Sequence, residues 1–206
     1  VGAWQGEQPS PLEAIDPALG YRLYVQTQQT IALSGAPVPL DTPIPIQPGS
    51  NWIPYLRHQT LDLASAMPIF EYQTNDQIRS QTAFSTYYGS YGWFGSLTSM
   101  RPCESYILIT TGSGVARYEV SPPSPPAPPG TSTTLNLVAG YNWISINLQH
   151  DDMSVNTALA ELSSSRQGDR LQSQYNSTSY VTSNGVSAWQ GEQPSPLEAI
   201  DPALGY

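Results

Sequence analysis

"GSNWI" occupies residues 49–53, and "GYNWI" repeats the pattern at residues 140–144. The aromatic and β-branched residues after each glycine favour a pleated strand. Three further blocks recur in the same order, pairing residues 76–81 with 169–174, 93–95 with 189–191, and 97–102 with 197–202. The conserved order predicts two related modules, module A over residues 49–120 and module B over residues 135–206.

A longer duplication joins the two ends of the sequence. Residues 3–21 and 188–206 carry the identical stretch AWQGEQPSPLEAIDPALGY, 185 positions apart. This spacing predicts tandem copies of a 185-residue repeat. Residues 1–34 are then the C-terminal half of the preceding module B, packed against residues equivalent to 135–187 of the preceding copy. Module B of the present copy is completed by residues equivalent to 22–34 of the next one.

Each module is predicted to be mainly β (α+β), with one short helix. In module A, Thr60 is the predicted N-cap of a helix over residues 61–67; in module B, Asp152 or Ser154 starts a helix that runs through Leu162. We also expect a strand over residues 77–84 and a closing hairpin. Its strands cover residues 105–111 and 115–120, joined by the glycine-rich residues 112–114.

Proline-rich linkers are predicted before both modules, at residues 35–48 and 121–134. The second linker should form a stiff polyproline II spacer. Its Ser-Pro-Pro tracts resemble the hydroxyproline-rich glycoproteins of algal and plant walls, which implies hydroxylated, O-glycosylated prolines; an unmodified spacer is the alternative. The candidate positions are Pro122, Pro123, Pro125, Pro126, Pro128 and Pro129.

Composition limits the possible partners. The net charge is −9, and only 11% of the residues are charged, which argues against a nucleic-acid partner. No apolar run reaches the length of a transmembrane helix, so we expect no membrane insertion. The polar, weakly charged composition favours a secreted or cell-surface protein. The single cysteine, Cys103, excludes an internal disulfide framework and is predicted to be a buried free thiol; a cross-link between chains is the alternative.

The ordered blocks resemble a known repeat module. Read together, GxNWI, DxI/LxSQ, WxG, LxxM/IxP and GxY are similar to a small repeat module in secreted and surface proteins of bacteria and microalgae. The resemblance implies an extracellular setting and says little about activity. The sequence departs from the pattern at Ser50, where an aromatic residue is common, and at Cys103, where glycine is common. Module B also inserts residues between Gly191 and Leu197.

Candidate reactive groups are few. His58 and His150 are the only histidines, and we expect hydrogen-bonded structural roles rather than metal ligation or catalysis. Asp76 and Asp169 are expected to close turns; a calcium site is the alternative, although the dense spacing of oxygen ligands in known calcium loops is missing. No nucleophile elbow, phosphate loop or paired-cysteine motif occurs, so neither an enzyme nor a cofactor is expected.

The aromatic residues divide into two groups. The tryptophans recur in register and are predicted structural anchors, namely Trp4, Trp52, Trp93, Trp143 and Trp189. Tyr87, Tyr88 and Tyr91 lie in a glycine-rich turn, where they either pack in the core or contact sugars or a neighbouring subunit. Asn176 belongs to the one N-glycosylation sequon, in a predicted strand or strand end.

The sequence therefore predicts a structural tandem-repeat protein. We expect an extracellular, glycosylated filament or fibril in which each copy contacts its neighbours, since near-identical units suit an array. Its partners are then other copies of itself and covalent glycans. The alternative is a secreted carbohydrate-binding adhesin with aromatic glycan-binding clefts.

Overall fold

A computed structural model describes residues 12–119, 131–160, 162, 166–183 and 185–191. Antiparallel strands dominate this part of the chain, so the predicted mainly β class is confirmed. The strands are β1 (Tyr21–Val25), β2 (Gln29–Pro37), β3 (Ile44–Ile46), β4 (Gly49–Pro54), β5 (Leu61–Asp62), β6 (Gln77–Arg79), β7 (Phe84–Tyr87), β8 (Trp93–Gly95), β9 (Ser99–Met100), β10 (Ser105–Thr110), β11 (Gly114–Ala116), β12 (Thr131–Leu137), β13 (Gly140–Ile144), β14 (Leu148–Gln149), β15 (Arg170–Gln172), β16 (Ser177–Ser183) and β17 (Val186–Gly191). The helices are α1 (Leu63–Ala66), α2 (Val155–Ala158) and a 3-10 turn (Gly89–Tyr91).

Two five-stranded sheets share one strand order. Sheet A runs β4-β10-β6-β7-β8, and sheet B runs β13-β1-β15-β16-β17. Their registers also correspond: in sheet A, Leu108 lies opposite Asn51 and Ile78. In sheet B, Leu23 lies opposite Asn142 and Leu171. The recurring blocks that the structure describes in both halves, 49–53 with 140–144, 76–81 with 169–174 and 93–95 with 189–191, thus occupy equivalent strands. Residues 197–202 lie outside the described residues, and a common origin of the two halves stays a prediction from sequence.

Sheet B is assembled from two distant parts of the chain. Its second strand, β1, belongs to residues 12–37, which we name the strap, whereas its other strands lie within residues 140–191. The strap's second strand, β2, pairs with β12 over residues 131–137. The sequence predicts that this segment packs on residues equivalent to 135–187 of a preceding copy; in the structure its strand partners lie within residues 131–172 of the same chain. The reason is that β1 needs a neighbour on each edge, and residues 140–172 supply both.

Two hydrophobic cores correspond to the two sheets. Half A, residues 38–119, encloses one core, and half B, the strap with residues 131–191, encloses the other. The alternation of side chains along a strand determines which residues enter a core: in β1, Tyr21, Leu23 and Val25 are buried, while Arg22 and Tyr24 lie on the opposite face and are half-buried. Cys103 belongs to half A by its position in the sequence, but its side chain packs in the core of half B.

The helices are shorter than predicted. In half A the N-cap is Asp62 rather than Thr60, because residues 61–62 pair with β9 and the helix can begin only at Leu63. The Asp62 carboxylate accepts a hydrogen bond from the backbone N–H of Ser65 at 3.1 Å. In half B, Ser154 is the N-cap, one of the two predicted, but α2 ends at Ala158 rather than Leu162.

Two predicted strand arrangements are wrong. The strand over residues 77–84 divides into β6 and β7, because Ser80 N–H donates to the Ala83 carbonyl and turns the chain. The closing hairpin does not form either. Strand β11 leaves the sheet after β10 and pairs with β3 instead, since the Thr110 hydroxyl accepts from Gly112 N–H and holds a bend there.

The predicted linker over residues 35–48 is part of the fold. Val38, Ile44 and Ile46 are buried in the core of half A, and residues 44–46 form β3. This segment therefore pairs with β11 and packs against the core of half A rather than acting as a spacer. Of the second predicted linker, residues 121–130 lie outside the described residues, and residues 131–134 form the first part of β12 rather than a spacer.

Candidate self-association site

The first part of the strap lies along α2 and β16 of half B. Leu12 N–H donates to the Ser177 carbonyl at 3.1 Å, and Ile15 N–H donates to the Met153 carbonyl at 2.8 Å. Val155 N–H donates back to the Glu13 carbonyl at 2.9 Å. The side chains of Leu12 and Ile15 are buried. Residues 12–15 are therefore held through both their backbone and their apolar side chains.

The same contacts recur inside half A. Leu97 N–H donates to the Phe84 carbonyl at 3.0 Å, and Leu63 N–H donates to the Thr98 carbonyl at 2.9 Å. In both halves the segment closes on its own tyrosine. The Tyr106 hydroxyl accepts from Arg101 N–H at 2.9 Å, and the Tyr21 hydroxyl accepts from Asp16 N–H at 2.7 Å. Residues 12–21 thus occupy in half B the place that residues 97–106 occupy in half A.

Asn142 fixes the strand that receives β1. Its side-chain amide donates to the carbonyls of Val138 and Gly140, at 2.9 and 3.1 Å, and to that of Leu23 at 3.4 Å. Its oxygen accepts from Val138 N–H at 2.9 Å. Asn51 makes the equivalent set of bonds in half A. The asparagine of the GxNWI block is therefore a buried turn-former that also contacts the neighbouring strand.

Asp169 holds the strap just after β1. Its buried carboxylate accepts from the backbone N–H of Gln26 at 3.0 Å and from that of Arg166 at 2.9 Å. The equivalent Asp76 accepts from Gln73 N–H and from the Thr110 hydroxyl, each at 2.8 Å. Both aspartates close turns, as expected. Within the described residues, no group of three or more potential metal-ligating side chains lies together.

Two glutamines bind the halves to each other. Gln174 of half B accepts from Trp52 N–H at 2.9 Å and donates to the Ser50 carbonyl at 2.7 Å. Gln81 of half A accepts from Trp143 N–H at 3.3 Å and donates to the Tyr141 carbonyl at 2.7 Å. Since β4 and β13 are edge strands, each side-chain amide satisfies peptide groups that a neighbouring strand would otherwise pair.

Arg22 of the strap lies at the joint between the halves. Its guanidinium carbon is 4.5 Å from the ring centre of Trp52 and 5.0 Å from that of Trp143, within the range of cation–π attraction. Burial lowers the pKa of Arg22. Both tryptophans are half-buried, so they line this joint rather than the centre of a core. Gly20 N–H adds a hydrogen bond to the Trp52 carbonyl at 2.8 Å.

Arg22, Gln81 and Gln174 were missed by the sequence reasoning. The glutamines end the DxI/LxSQ block in both halves, which was a usable signal of a shared role. Arg22 gave no signal, because its counterpart in half A is Ile107.

The other predicted anchors have different surroundings. Trp189 is buried, exchanges two backbone hydrogen bonds with the Asn156 side chain, and packs its ring 5.5 Å from that of Tyr180. Trp93 is half-buried, with its ring 5.0 Å from that of Tyr72. Trp4 lies outside the described residues.

The three candidate tyrosines do not form one surface. Tyr87 packs 5.2 Å from the Trp93 ring and joins the margin of the core. Tyr88 is 48% exposed and Tyr91 is 81% exposed. The Tyr88 ring lies 6.1 Å from that of Phe94, which is also exposed. Only Tyr88 and Tyr91 are therefore placed to contact a partner or a sugar.

Of the glycosylation candidates, the structure describes Asn176 alone. It lies in the bend between β15 and β16, half-buried, with its N–H donating to the Ser173 hydroxyl at 2.9 Å. Thr178, the third residue of the sequon, is buried. The six candidate prolines lie outside the described residues.

The two histidines are exposed, whereas the cysteine is buried. The imidazole Nδ1 of His58 is 3.3 Å from the Asn147 side-chain amide, and partial burial lowers the pKa of His58; His150 is exposed. Cys103 is a buried free thiol, as predicted, and donates to the Asn147 side-chain oxygen at 3.7 Å. Burial raises the pKa of Cys103, so its nucleophilic thiolate form is disfavoured.

A polar cleft of about 530 Å³ also separates the halves. Its lining includes Gln81, Arg101, Glu104, Thr134 and Trp143.

In the described part of the chain, no helix has the length and hydropathy needed to cross a membrane. Comparison with known proteins adds no relative: no family model matches the chain, and neither a curated protein nor a solved structure matches it.

Proposed function

We propose that this chain is a structural tandem-repeat protein that associates with copies of itself into an extracellular, glycosylated filament or fibril. One observation carries the proposal. Half B receives its second strand from a strap that is separated in sequence from the rest of half B. Residues 12–21 of that strap also occur, unchanged, at residues 197–206. Each copy thus carries one receiving site and two segments whose sequence suits the part of that site filled by residues 12–21.

Strand pairing gives a physical reason for assembly. Without β1, strands β13 and β15 would each expose an unpaired edge, and such edges pair with other chains. A segment passed from one copy to the next makes a head-to-tail contact, and such contacts build open arrays unless they close into a ring. The same residues that complete a fold can therefore connect the units of a filament.

The amino-acid composition supports an extracellular, glycosylated protein. Only 11% of residues are charged, and all seven basic residues are arginines. The Ser-Pro-Pro tract and the sequon at Asn176 are both potential sites of glycan attachment. The role we propose is mechanical and non-enzymatic.

Electron microscopy of the native material tests the proposal. We expect fibres with a regular axial repeat, together with sugars on the proline-rich peptide or on Asn176 in mass spectrometry. Dispersed monomers at every concentration would contradict the filament, and an unmodified proline-rich peptide from native material would contradict the wall-type glycosylation.

A carbohydrate-binding adhesin is the second candidate, favoured by the exposed rings of Tyr88 and Tyr91. Exposed aromatic faces stack on sugar rings through apolar contact. A glycan array would support this function if soluble wild-type chain binds and Tyr91→Ala does not. Phe84→Ala, which removes an exposed ring outside the tyrosine turn, is the matched control.

A further inference from the structure

Resting on the proposed filament function, we propose that the strap of one copy can complete half B of a second copy. The receiving site is central to the sheet. Strand β1 lies between β13 and β15, which do not pair with each other. Removing the strap would therefore divide sheet B and uncover Leu171 and Ile144, both now buried. A site of this kind must be filled for half B to be stable, whichever copy supplies the strand.

The strap is bound to half B without a direct covalent connection. All of half A lies between the end of the strap and β12. The strap nonetheless contributes fully buried side chains to the half B core, including Tyr21, Leu23, Val25 and Ile31. Its binding free energy therefore comes from apolar burial and strand pairing, and both are available from any copy.

Only a short segment joins the strap to half A. Strand β2 ends at Pro37, and Val38 already belongs to the core of half A. Half A contains its own core and sheet. For the strap to bind another copy, the backbone needs to change direction only near residues 37–40, as in a domain swap.

The duplicated sequence adds a second reason for exchange. Residues 197–206 repeat residues 12–21, and only residues 192–196 join them to the end of β17. Because short loops lose little entropy on closure, this nearby segment is a competitor for the site of residues 12–21. Competition at that site loosens residues 12–21 from their own half B, which speeds exchange of the strap without favouring either arrangement.

Protein concentration determines whether the strap binds half B of its own copy or half B of another copy. The contacts made by the strap are the same within one copy and between copies, so the difference is the entropy of tethering. A tethered segment has an effective concentration on the order of millimolar. We therefore expect exchange when the chain is refolded at high concentration, or when copies are held side by side in an array.

Cysteine pairs placed across β1 and β13 test the exchange in the full chain. Tyr24 lies directly opposite Tyr141, with ring centres 5.1 Å apart, and directly opposed strand residues are close enough for a disulfide. Tyr24→Cys and Tyr141→Cys chains, one isotopically heavy, are refolded together at high concentration and oxidised. The control mixes Tyr24→Cys with Val115→Cys, whose exposed side chain lies on β11 of half A. A chain carrying both Tyr24→Cys and Tyr141→Cys reports closure within one copy.

We expect heavy–light disulfide dimers several-fold more abundant for the 24/141 mixture than for the control. Equal dimer yields, with the double variant cross-linked only within its own chain, would overturn the exchange. Failure of the double variant to form any disulfide would overturn the placement of β1 and the proposal with it. Fibres without these cross-links would leave the filament function intact, whereas cross-linked dimers without fibres would reject the filament and retain the exchange.

Discussion

Truncating Leu23 to alanine should destabilise the protein as strongly as a mutation at the centre of a continuous domain. Leu23 is fully buried on β1, opposite Leu171 and Asn142. The change removes three carbon atoms, worth roughly 2.4 kcal/mol of apolar transfer at about 0.8 kcal/mol each. Neighbours on both sides are themselves buried strand residues that cannot easily close the cavity, so we expect a total loss of about 3 to 5 kcal/mol.

Leu108→Ala is the matched control. Leu108 is fully buried at the equivalent place on β10, opposite Ile78 and Asn51. Urea unfolding followed by tryptophan fluorescence gives the free energy of unfolding of both variants and of the wild type. We expect losses that agree within about 1 kcal/mol, since the spread for one substitution type reflects how well each site can relax.

A loss below about 0.5 kcal/mol for Leu23→Ala, with a large loss for Leu108→Ala, would refute this reasoning. That small value is typical of surface substitutions. It would mean that the strap is not part of the half B core, and the assembly proposal would lose its receiving site.

Three further predictions concern individual groups. Gln174→Ala should lower the free energy of unfolding by about 1 to 2 kcal/mol, because it leaves the Trp52 N–H and Ser50 carbonyl without their partner; urea unfolding measures this, and a value indistinguishable from wild type would contradict the edge-capping role. Burial raises the pKa of Tyr55 from 10.0 to about 12. Between these two pH values the Tyr55 hydroxyl therefore keeps its proton in the folded state and loses it in the unfolded state. Stability from this group is fully present below pH 10 and is lost as pH rises from 10 toward about 12. Tyr55→Phe should flatten the fall in stability with pH over that interval, and an unchanged slope would contradict the assignment. Cys103 should react with a thiol reagent only on unfolding, because it is buried and its pKa is raised; rapid labelling of the native chain would show otherwise.

Local chemistry predicted the strands well. The aromatic and β-branched residues after Gly49 and Gly140 form β4 and β13 as expected, and Asp76 and Asp169 close turns. These features follow from residue type and spacing, which act over a few positions. The recurrence of whole blocks also anticipated the matching strand order of the two sheets.

Strand partners could not be predicted in the same way. Val115 pairs with Pro45 and not with β10. The strap pairs with residues 131–149 and 170–172, close to the predicted range of 135–187, but in its own chain rather than in a preceding copy. Propensity favours extended backbone without choosing its neighbour, and that choice depends on which buried faces fit together. The recurring block marked Gln81 and Gln174 as equivalent, but it could not identify the peptide groups that they bind, because those groups lie on the other half of the fold.

Hydrogen exchange of the wild-type chain tests the central claim most directly, namely that the strap is an integral part of half B. Strand β1 is hydrogen-bonded on both edges, like β10 in sheet A. We therefore predict that the backbone amides of Tyr21–Val25 exchange as slowly as those of Ser105–Thr110, in isolated chains and in assembled fibres. Exchange of Tyr21–Val25 at the rate of an unstructured peptide, with Ser105–Thr110 protected, would contradict the account.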